Sequence, residues 1–487
     1  MIDLTINKDG LKRAVQRAKE RNIIIPTFAQ MKDPSQIPEA VKSRLRSVGL
    51  WDLNSLNLFR ITWHNKPVPY GGEFGGVNCL EFPKALTGVD VRIFALAGKW
   101  FPTGAHKVGA AFGCLVPRLV TGQFDPTTQS AVWPSTGNYC RGGAYDSALL
   151  GCQSIAILPE GMSRERFEWL SKVAGQVIAT PGTESNVKEI FDKCWELRRS
   201  GQDLTIFNQF EEFGNHLWHY DVTGQAMEEV INSKLRPGEV LRGSVFTTGS
   251  AGTIAAGDYL KEVFPASKLA ASEALQCPTL LSNGFGPHRI EGIGDKHVPW
   301  IHNVRNTDMV MAIDDESPMQ LIRLFNEPEG KLYLARMNVP EVLIEQLALL
   351  GISGVANLLS AVKMAKWYEW GEGDAAITVL TDSMEMYQSR LCELTAERGE
   401  FTARDAVVAY HQHLLGQGTE HTEELSYPAR KRIHNLKYYT WVEQQGKTYQ
   451  EIQSQWYDAG YWSNIHRQVG EIDALIGEFN EMTELLK

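Results

Sequence analysis

Phe101-Pro102-Thr103-Gly104-Ala105-His106-Lys107-Val108-Gly109 is the stretch on which the reading of this chain of 487 residues turns. It follows directly on residues 91–96, an apolar, β-branched run that predicts a strand, and it leads into a helical pattern. A lysine at a strand-to-helix junction, flanked by small residues, can have its amine partly buried and its pKa depressed. A Schiff-base lysine needs both. Taken singly, a lysine at a helix start is more often a solvated one, so the segment has to be read with its surroundings.

Outward from Lys107, residues 91–383 alternate short β-branched runs with amphipathic stretches, the pattern of an α/β protein with largely parallel sheets. Strands are expected at 91–96, 154–158, 176–180, 243–247, 308–313 and 376–381, and helices at 164–174, 185–199, 252–263, 340–350 and 355–368. Gly and Pro punctuate the joins. The flanks differ: residues 1–90 hold a helix and an aromatic-rich loop, and read as a segment packing on the catalytic body. Residues 389–487 read as a mainly helical extension without a convincing strand, including helices at 448–457 and 472–486.

Three further loops precede helical patterns. Ser135-Thr136-Gly137-Asn138-Tyr139 stands before a small-residue helix expected at 142–150; hydroxyls and N–H groups there suit a carboxylate, and an Asn amide can bond a phenolate oxygen, although taken alone a capped turn is the better reading. Thr248-Gly249-Ser250-Ala251-Gly252-Thr253 lets consecutive N–H groups converge on a phosphate at a helix N-terminus, without the lysine of a nucleotide-binding P-loop. Gly351-Ile352-Ser353-Gly354 reads alone as a turn with Ser353 as N-cap.

In this order, and with Leu158-Pro159-Glu160-Gly161-Met162-Ser163, Thr180-Pro181-Gly182, Glu291-Gly292-Ile293-Gly294, Val298-Pro299 and Leu380-Thr381-Asp382-Ser383-Met384-Glu385-Met386-Tyr387, the loops resemble those of the tryptophan synthase β/cysteine synthase superfamily, the fold type II pyridoxal-phosphate enzymes, over residues 65–388. The resemblance implies a two-lobed α/β fold with open parallel sheets and pyridoxal 5'-phosphate between the lobes. By the same carry-over Lys107 would bear the cofactor as a Schiff base and shuttle the proton at Cα, and His106 would help to position the cofactor. Asn138 would bond its ring oxygen, Gly249, Ser250, Ala251, Gly252 and Thr253 would hold its phosphate, and Ser353 would meet its pyridine nitrogen. A neutral hydroxyl there weakens the electron sink and favours loss of a β-substituent.

Ser135, Thr136 and Gly137 would hold the substrate carboxylate. Arg141 stands in an Asn loop that differs from the TSGNTG of cysteine synthases, and reads either as a partner for a second substrate anion or as a plain surface arginine. Trp133 and Tyr139 could line the pocket, though aromatics beside strands are more often core. The acidic ETGAGQ loop of tryptophan synthase β subunits is absent from the sequence, which speaks against tryptophan synthesis.

The implied reaction is β-elimination or β-replacement on a small β-substituted amino acid through an aminoacrylate, with elimination preferred because no acceptor-binding motif is recognisable. Threonine synthase-like or hydroxyamino-acid dehydratase activity is the enzymic alternative, and a catalytically silent cofactor-binding protein the other. A net charge of −10 with interspersed signs disfavours nucleic acid and anionic membranes as partners. Seven scattered cysteines without a CxxC pair imply no disulfide framework and no metal site, as in a reducing cytoplasm. No apolar run reaches the roughly 18 residues of a membrane span. A homodimer is expected, with the aromatic tail serving dimer contacts or covering the active site.

Overall fold

The computed structural model describes residues 1–486. Its strands are, in chain order, β1 (Cys79–Phe82), β2 (Arg92–Ala97), β3 (Ser130–Pro134), β4 (Gln153–Pro159), β5 (Gln176–Thr180), β6 (Leu204–Ile206), β7 (Val240–Thr247), β8 (Lys268–Ala274), β9 (Met309–Ile313), β10 (Asp374–Leu380) and β11 (Thr422–Glu424). They form two sheets, one in the order β1-β2-β10-β7-β8-β9-β11 and one in the order β5-β4-β3-β6. The smaller sheet is parallel throughout, and the larger is parallel from β2 to β9 with an antiparallel strand at each edge. Strands such as Arg92–Ala97 and Met309–Ile313 are buried along nearly their whole length because helices cover both faces, which is why they read as continuous apolar runs.

The two flanking segments each supply an edge of the larger sheet. Strand β1 comes from the first 90 residues, and β11 corrects the expectation that residues 389–487 hold no strand. The polar sequence Thr-Glu-Glu of β11 suits an edge, since only one side of it is hydrogen-bonded, to Met309–Met311.

Helix Lys107–Val120 packs against helices Asn138–Leu149 and Phe213–Trp218, and small residues allow the close approach. A Cβ on Gly109 would stand 2.1 Å from the Trp218 ring, and one on Gly142 would stand 2.8 Å from the Cα of Val108. This brings the helix that starts at Lys107 beside the one that starts at Asn138. The second of these begins four residues before the expected 142–150, so Asn138 and Arg141 belong to its first turns rather than to a loop. The helix expected at 340–350 is shorter, Glu341–Gln346, and tightens into a 3₁₀ turn at Leu347–Leu349.

The C-terminal segment is part of the body. Helix Tyr461–Thr483 starts well before the expected residue 472 and lies across helices Lys8–Arg21 and Lys107–Val120. Trp441 is buried and its indole N–H donates to the carbonyl of Val298 at 2.8 Å. Lys437 donates to the carbonyls of Trp300 and His302 at 2.9 and 2.7 Å. The Asn480 side chain satisfies both the N–H and the C=O of Ile25, at 3.0 and 2.8 Å. Asn480→Ala will leave two buried backbone groups without partners and lower stability by about 1–3 kcal/mol. The check is the shift of the urea unfolding midpoint, and no shift would mean that solvent replaces the side chain.

Candidate active site

Loops from the carboxyl ends of strands in both sheets converge on one chamber, the usual ligand position in open α/β sheets. The chamber is lined by His106, Lys107, Ser135, Thr136, Asn138 and Tyr139, by Gly249 to Thr253, and by Thr381. Of the expected site residues, Gly137, Arg141 and Ser353 do not line it.

Lys107 is the first residue of its helix. Its amine donates to Ser250 Oγ at 2.8 Å and lies 3.5 Å from Gln209 Oε1. Burial pulls its pKa down to about 8, against the opposing charge of Asp295. A lysine in this state can shed its proton near neutrality, as carbonyl chemistry requires. His106 is fully buried, held at about 3 by burial and by the neighbouring Lys107 charge, and lies 3.3 Å through Nε2 from Thr381 Oγ1. Its ring is thus neutral at pH 7.

The Gly249–Thr253 loop leads from β7 into helix Ile254–Val263. Ala251 takes the left-handed conformation, φ 62°, an uncommon one for a residue with a side chain, and the loop lines the chamber. Asn215 supports it from behind, donating to Ser250 Oγ at 3.0 Å and to the carbonyl of Gln209 at 2.9 Å. A Cβ on Gly252 would stand 2.2 Å from Asn215 Oδ1. Gly252→Leu will therefore weaken retention of a phosphate-bearing ligand by tenfold or more, a larger effect than on unfolding, because it displaces both the loop and its support. Unchanged affinity in an equilibrium titration would show that the loop is only structural.

Asn138 is held by a buried chain of polar contacts. Arg390 donates to Glu291 at 2.6 Å, Arg166 to the other Glu291 oxygen at 2.6 Å and to Tyr387 at 2.8 Å, Tyr387 to Asp382 at 2.7 Å, and Asn138 Nδ2 to the same Asp382 oxygen at 2.6 Å. The Glu291-Gly292-Ile293-Gly294 and Leu380–Tyr387 stretches thus act together to anchor Arg166 and Asn138. Burial acts to lower the Arg166 pKa, but Tyr387, Glu291, Glu184 and Asp382 outweigh it and keep the guanidinium charged. Gly137 leaves room for it, since a Cβ there would stand 2.7 Å from the Arg166 side chain.

Ser135 Oγ accepts from the Gly137 N–H at 3.1 Å and from Gln209 at 3.3 Å. Arg141 is neither a surface residue nor on the chamber wall. It is 3 % exposed, donates to the carbonyl of Thr103 at 2.9 Å and lies over the Trp169 ring at 4.6 Å. Burial, with Arg166 nearby, pulls its pKa down to about 10, and its Nε is buried without a partner among the described residues. Ser353 is the second residue of helix Ile352–Trp367, whose N-cap is Gly351, so the capping reading is replaced. Its hydroxyl lies behind Gly292, 3.8 Å from where a Cβ on that glycine would be. Trp133 is core, stacked on Phe207 with its N–H on Ser147, whereas Tyr139 does line the chamber.

Sequence reasoning missed Gln209, Asn215, Glu184 and Asp295. The last two are buried carboxyls on the chamber wall, each pushed up to about 8 by burial, and each has a buried oxygen without a partner among the described residues. Asn138 Oδ1, Tyr139 Oη and Thr248 Oγ1 are also buried without partners. A polar ligand is needed to complete such a wall, and a buried amine beside an amide-lined cradle fits a carbonyl compound with an anionic tail.

Fold and chamber together define a lysine-centred α/β enzyme. Residues 74–333, more than half of the chain, match the family described as pyridoxal-phosphate dependent enzyme, and the chain belongs to that family. Its cofactor is pyridoxal phosphate. The chain is similar to a cysteine synthase of Staphylococcus aureus, 27% identical over 291 residues, which cover 59% of this chain and 84% of the relative. Among solved structures, the O-acetylserine dependent cystathionine β-synthase from Helicobacter pylori is 25% identical with a TM-score of 0.53, over 64% of this chain and 94% of that one. A hydrogen sulfide-producing enzyme of Fusobacterium nucleatum, solved with an α-aminoacrylate intermediate, shares the fold at 23% identity and a TM-score of 0.55, over 72% and 93% of the two chains.

Proposed function

We propose that this enzyme eliminates or replaces the β-substituent of a small amino acid, with elimination the main outcome. The observation that carries the reading is the amine of Lys107, buried in a chamber with the amide-lined Gly249–Thr253 loop on one side and the Ser135–Asn138 turn on the other. The relatives support the reaction class, since they are a cysteine synthase, a cystathionine β-synthase and a sulfide producer.

Bound pyridoxal phosphate supplies an electron sink for the substrate's Cα. Lys107 would hold the cofactor and, as a free amine, would take the proton from the substrate's Cα. Gly249 to Thr253 hold the phosphate with backbone N–H groups, helped by the helix dipole. Asn138 bonds the ring oxygen, kept in place by Asp382. Ser353, which stands behind Gly292 and off the chamber wall, would serve the pyridine nitrogen from that side. Ser135, Thr136 and Gly137 orient the substrate carboxylate, and His106 packs the Lys107 turn against Thr381. Buried walls exclude water and strengthen each of these contacts.

The described residues contain no helix long and apolar enough to cross a membrane and no cluster suited to a metal ion. A cytoplasmic homodimer is part of the proposal, supported by seven cysteines that form no disulfide and by exposed tyrosines at 427, 439, 449 and 457. The deciding experiment offers the holoenzyme a panel of β-substituted L-amino acids and measures 2-oxo acid, ammonia and sulfide. Borohydride reduction and peptide mass analysis should place the cofactor on Lys107. Label on another lysine, or no product from any member of the panel, would overturn the reading.

A further inference from the structure

Three candidates lie outside the roles assigned so far: the exposed tyrosine patch around residue 439, the His216–His466 contact beneath the tail, and the two carboxyls on the chamber wall. The patch has nothing seated on it, and the histidine pair is closed in by Trp462 and Tyr220. The carboxyls face the reacting volume itself.

Asp295 belongs to the loop between Gly292 and Val298 and is 7 % exposed. Its backbone carbonyl accepts from Thr279 Oγ1 at 2.7 Å, but no hydrogen bond reaches its carboxyl among the described residues, and Oδ2 is buried without a partner. The one counter-charge that acts on it is that of Lys107, which pulls its pKa down while burial pushes it up. That charge is absent when Lys107 stands as the neutral free amine that takes the Cα proton. An ionised carboxylate would then stand in the chamber without donor or cation, at a cost that protonation removes. Asp295 thus offers a neutral carboxyl on the wall of the chamber, with one oxygen left without a partner. Glu184 lines the same chamber and is also buried with an unpaired oxygen, Oε2. Arg141 does not line the chamber.

Resting on the β-elimination reading, we propose that Asp295 is the proton donor to the departing β-substituent, and that the preferred substrates are amino acids with an unactivated β-hydroxyl rather than an ester. The Cα proton goes to Lys107, and the electron pair it leaves forms the Cα–Cβ double bond. The Cβ–O pair departs with oxygen, which takes the proton of Asp295 and the existing hydroxyl hydrogen away as water. Lys107 then returns its proton to the Asp295 carboxylate, so the enzyme is restored with no external acid. An acetate leaving group needs no such proton.

The test compares L-serine with O-acetyl-L-serine on the cofactor-loaded wild type and on Asp295→Asn, which preserves shape and removes the proton. Serine turnover, as kcat/KM, should fall at least 100-fold, the usual scale of a general acid, while O-acetylserine turnover should change less than about threefold. An equal loss on both substrates would make Asp295 a positioning residue and overturn the proposal, as would wild type that consumes the ester and ignores serine. Wild type inactive on both would instead overturn the reading of the reaction. A second measurement does not depend on turnover: the infrared difference between wild type and Asp295→Asn at pH 7 should contain the carbonyl stretch of a protonated carboxylic acid, and its absence overturns the proposal. If Asp295→Asn does not fold, Asp295→Ser is compared in the same way.

Discussion

Lys107→Ala will lower turnover by about three orders of magnitude or more, since general acid–base work alone is commonly worth 10²–10⁴-fold and covalent retention of the cofactor is lost with it. The variant should fold, because the removed amine makes only two polar contacts, to Ser250 and Gln209, and both partners have other bonds. Pyridoxal phosphate should then dialyse away, and borohydride should leave no label on the chain. Lys107→Arg is expected to be as inactive as the alanine variant, because a guanidinium does not deprotonate near neutrality. A variant that keeps more than a tenth of wild-type turnover would remove Lys107 from the reaction altogether.

The second large effect is on stability. Arg166 and Glu291 form an ion pair in which both side chains are almost without solvent, and the same guanidinium also serves Tyr387 and the carbonyl of Thr136, at 3.2 Å. Arg166→Met will leave buried acceptors without their donor, and removing one partner of such a pair costs about 3–5 kcal/mol. Arg166→Lys should recover little, since one ammonium cannot reproduce a planar fork spread over three acceptors. The urea unfolding curve measures both variants. Because Asp382 loses its link to the network through Tyr387, the methionine variant should also bind pyridoxal phosphate more weakly. A loss below 1 kcal/mol would show that the cluster relaxes or admits water.

Much of this could be read from residues alone, and the failures have physical reasons. Strands of Val, Ile and Phe, such as 91–96 and 308–313, announce themselves because parallel strands are buried on both faces. Strand Lys268–Ala274 does not: its sequence Lys-Leu-Ala-Ala-Ser-Glu-Ala has helical composition, and only its place between β7 and β9 makes it extended. Leu204–Ile206 and Thr422–Glu424 are three residues each, too short for any periodicity. At the site, the lysine and the glycine loop were legible because each stands where a strand gives way to a helix. Asp295 sits between the Glu291–Gly294 and Val298-Pro299 stretches, where its acidic side chain inside a small-residue loop was the available signal. Glu184 directly follows Thr180-Pro181-Gly182 and Thr183, and Gln209 and Asn215 carry no spacing that marks them. The reach of Arg141 could not be inferred because its partners, Thr103 and Trp169, come from other parts of the chain.

The fastening of residues 2–29 to residues 468–480 bears on how the molecule is made. Ile25 is completed by Asn480, a residue 455 positions later, Ile2 by Gln468, and the N–H groups of Phe28 and Ala29 by Asp473. A ribosome adding about 5–20 residues per second leaves those early backbone groups waiting for tens of seconds. Helix Lys107–Val120, which carries the reactive lysine at its first position, lies under the same late helix. Assembly of the cofactor chamber is therefore a post-translational event for this polypeptide, and nascent chains stalled before residue 460 should be sensitive to proteases and unable to take up pyridoxal phosphate.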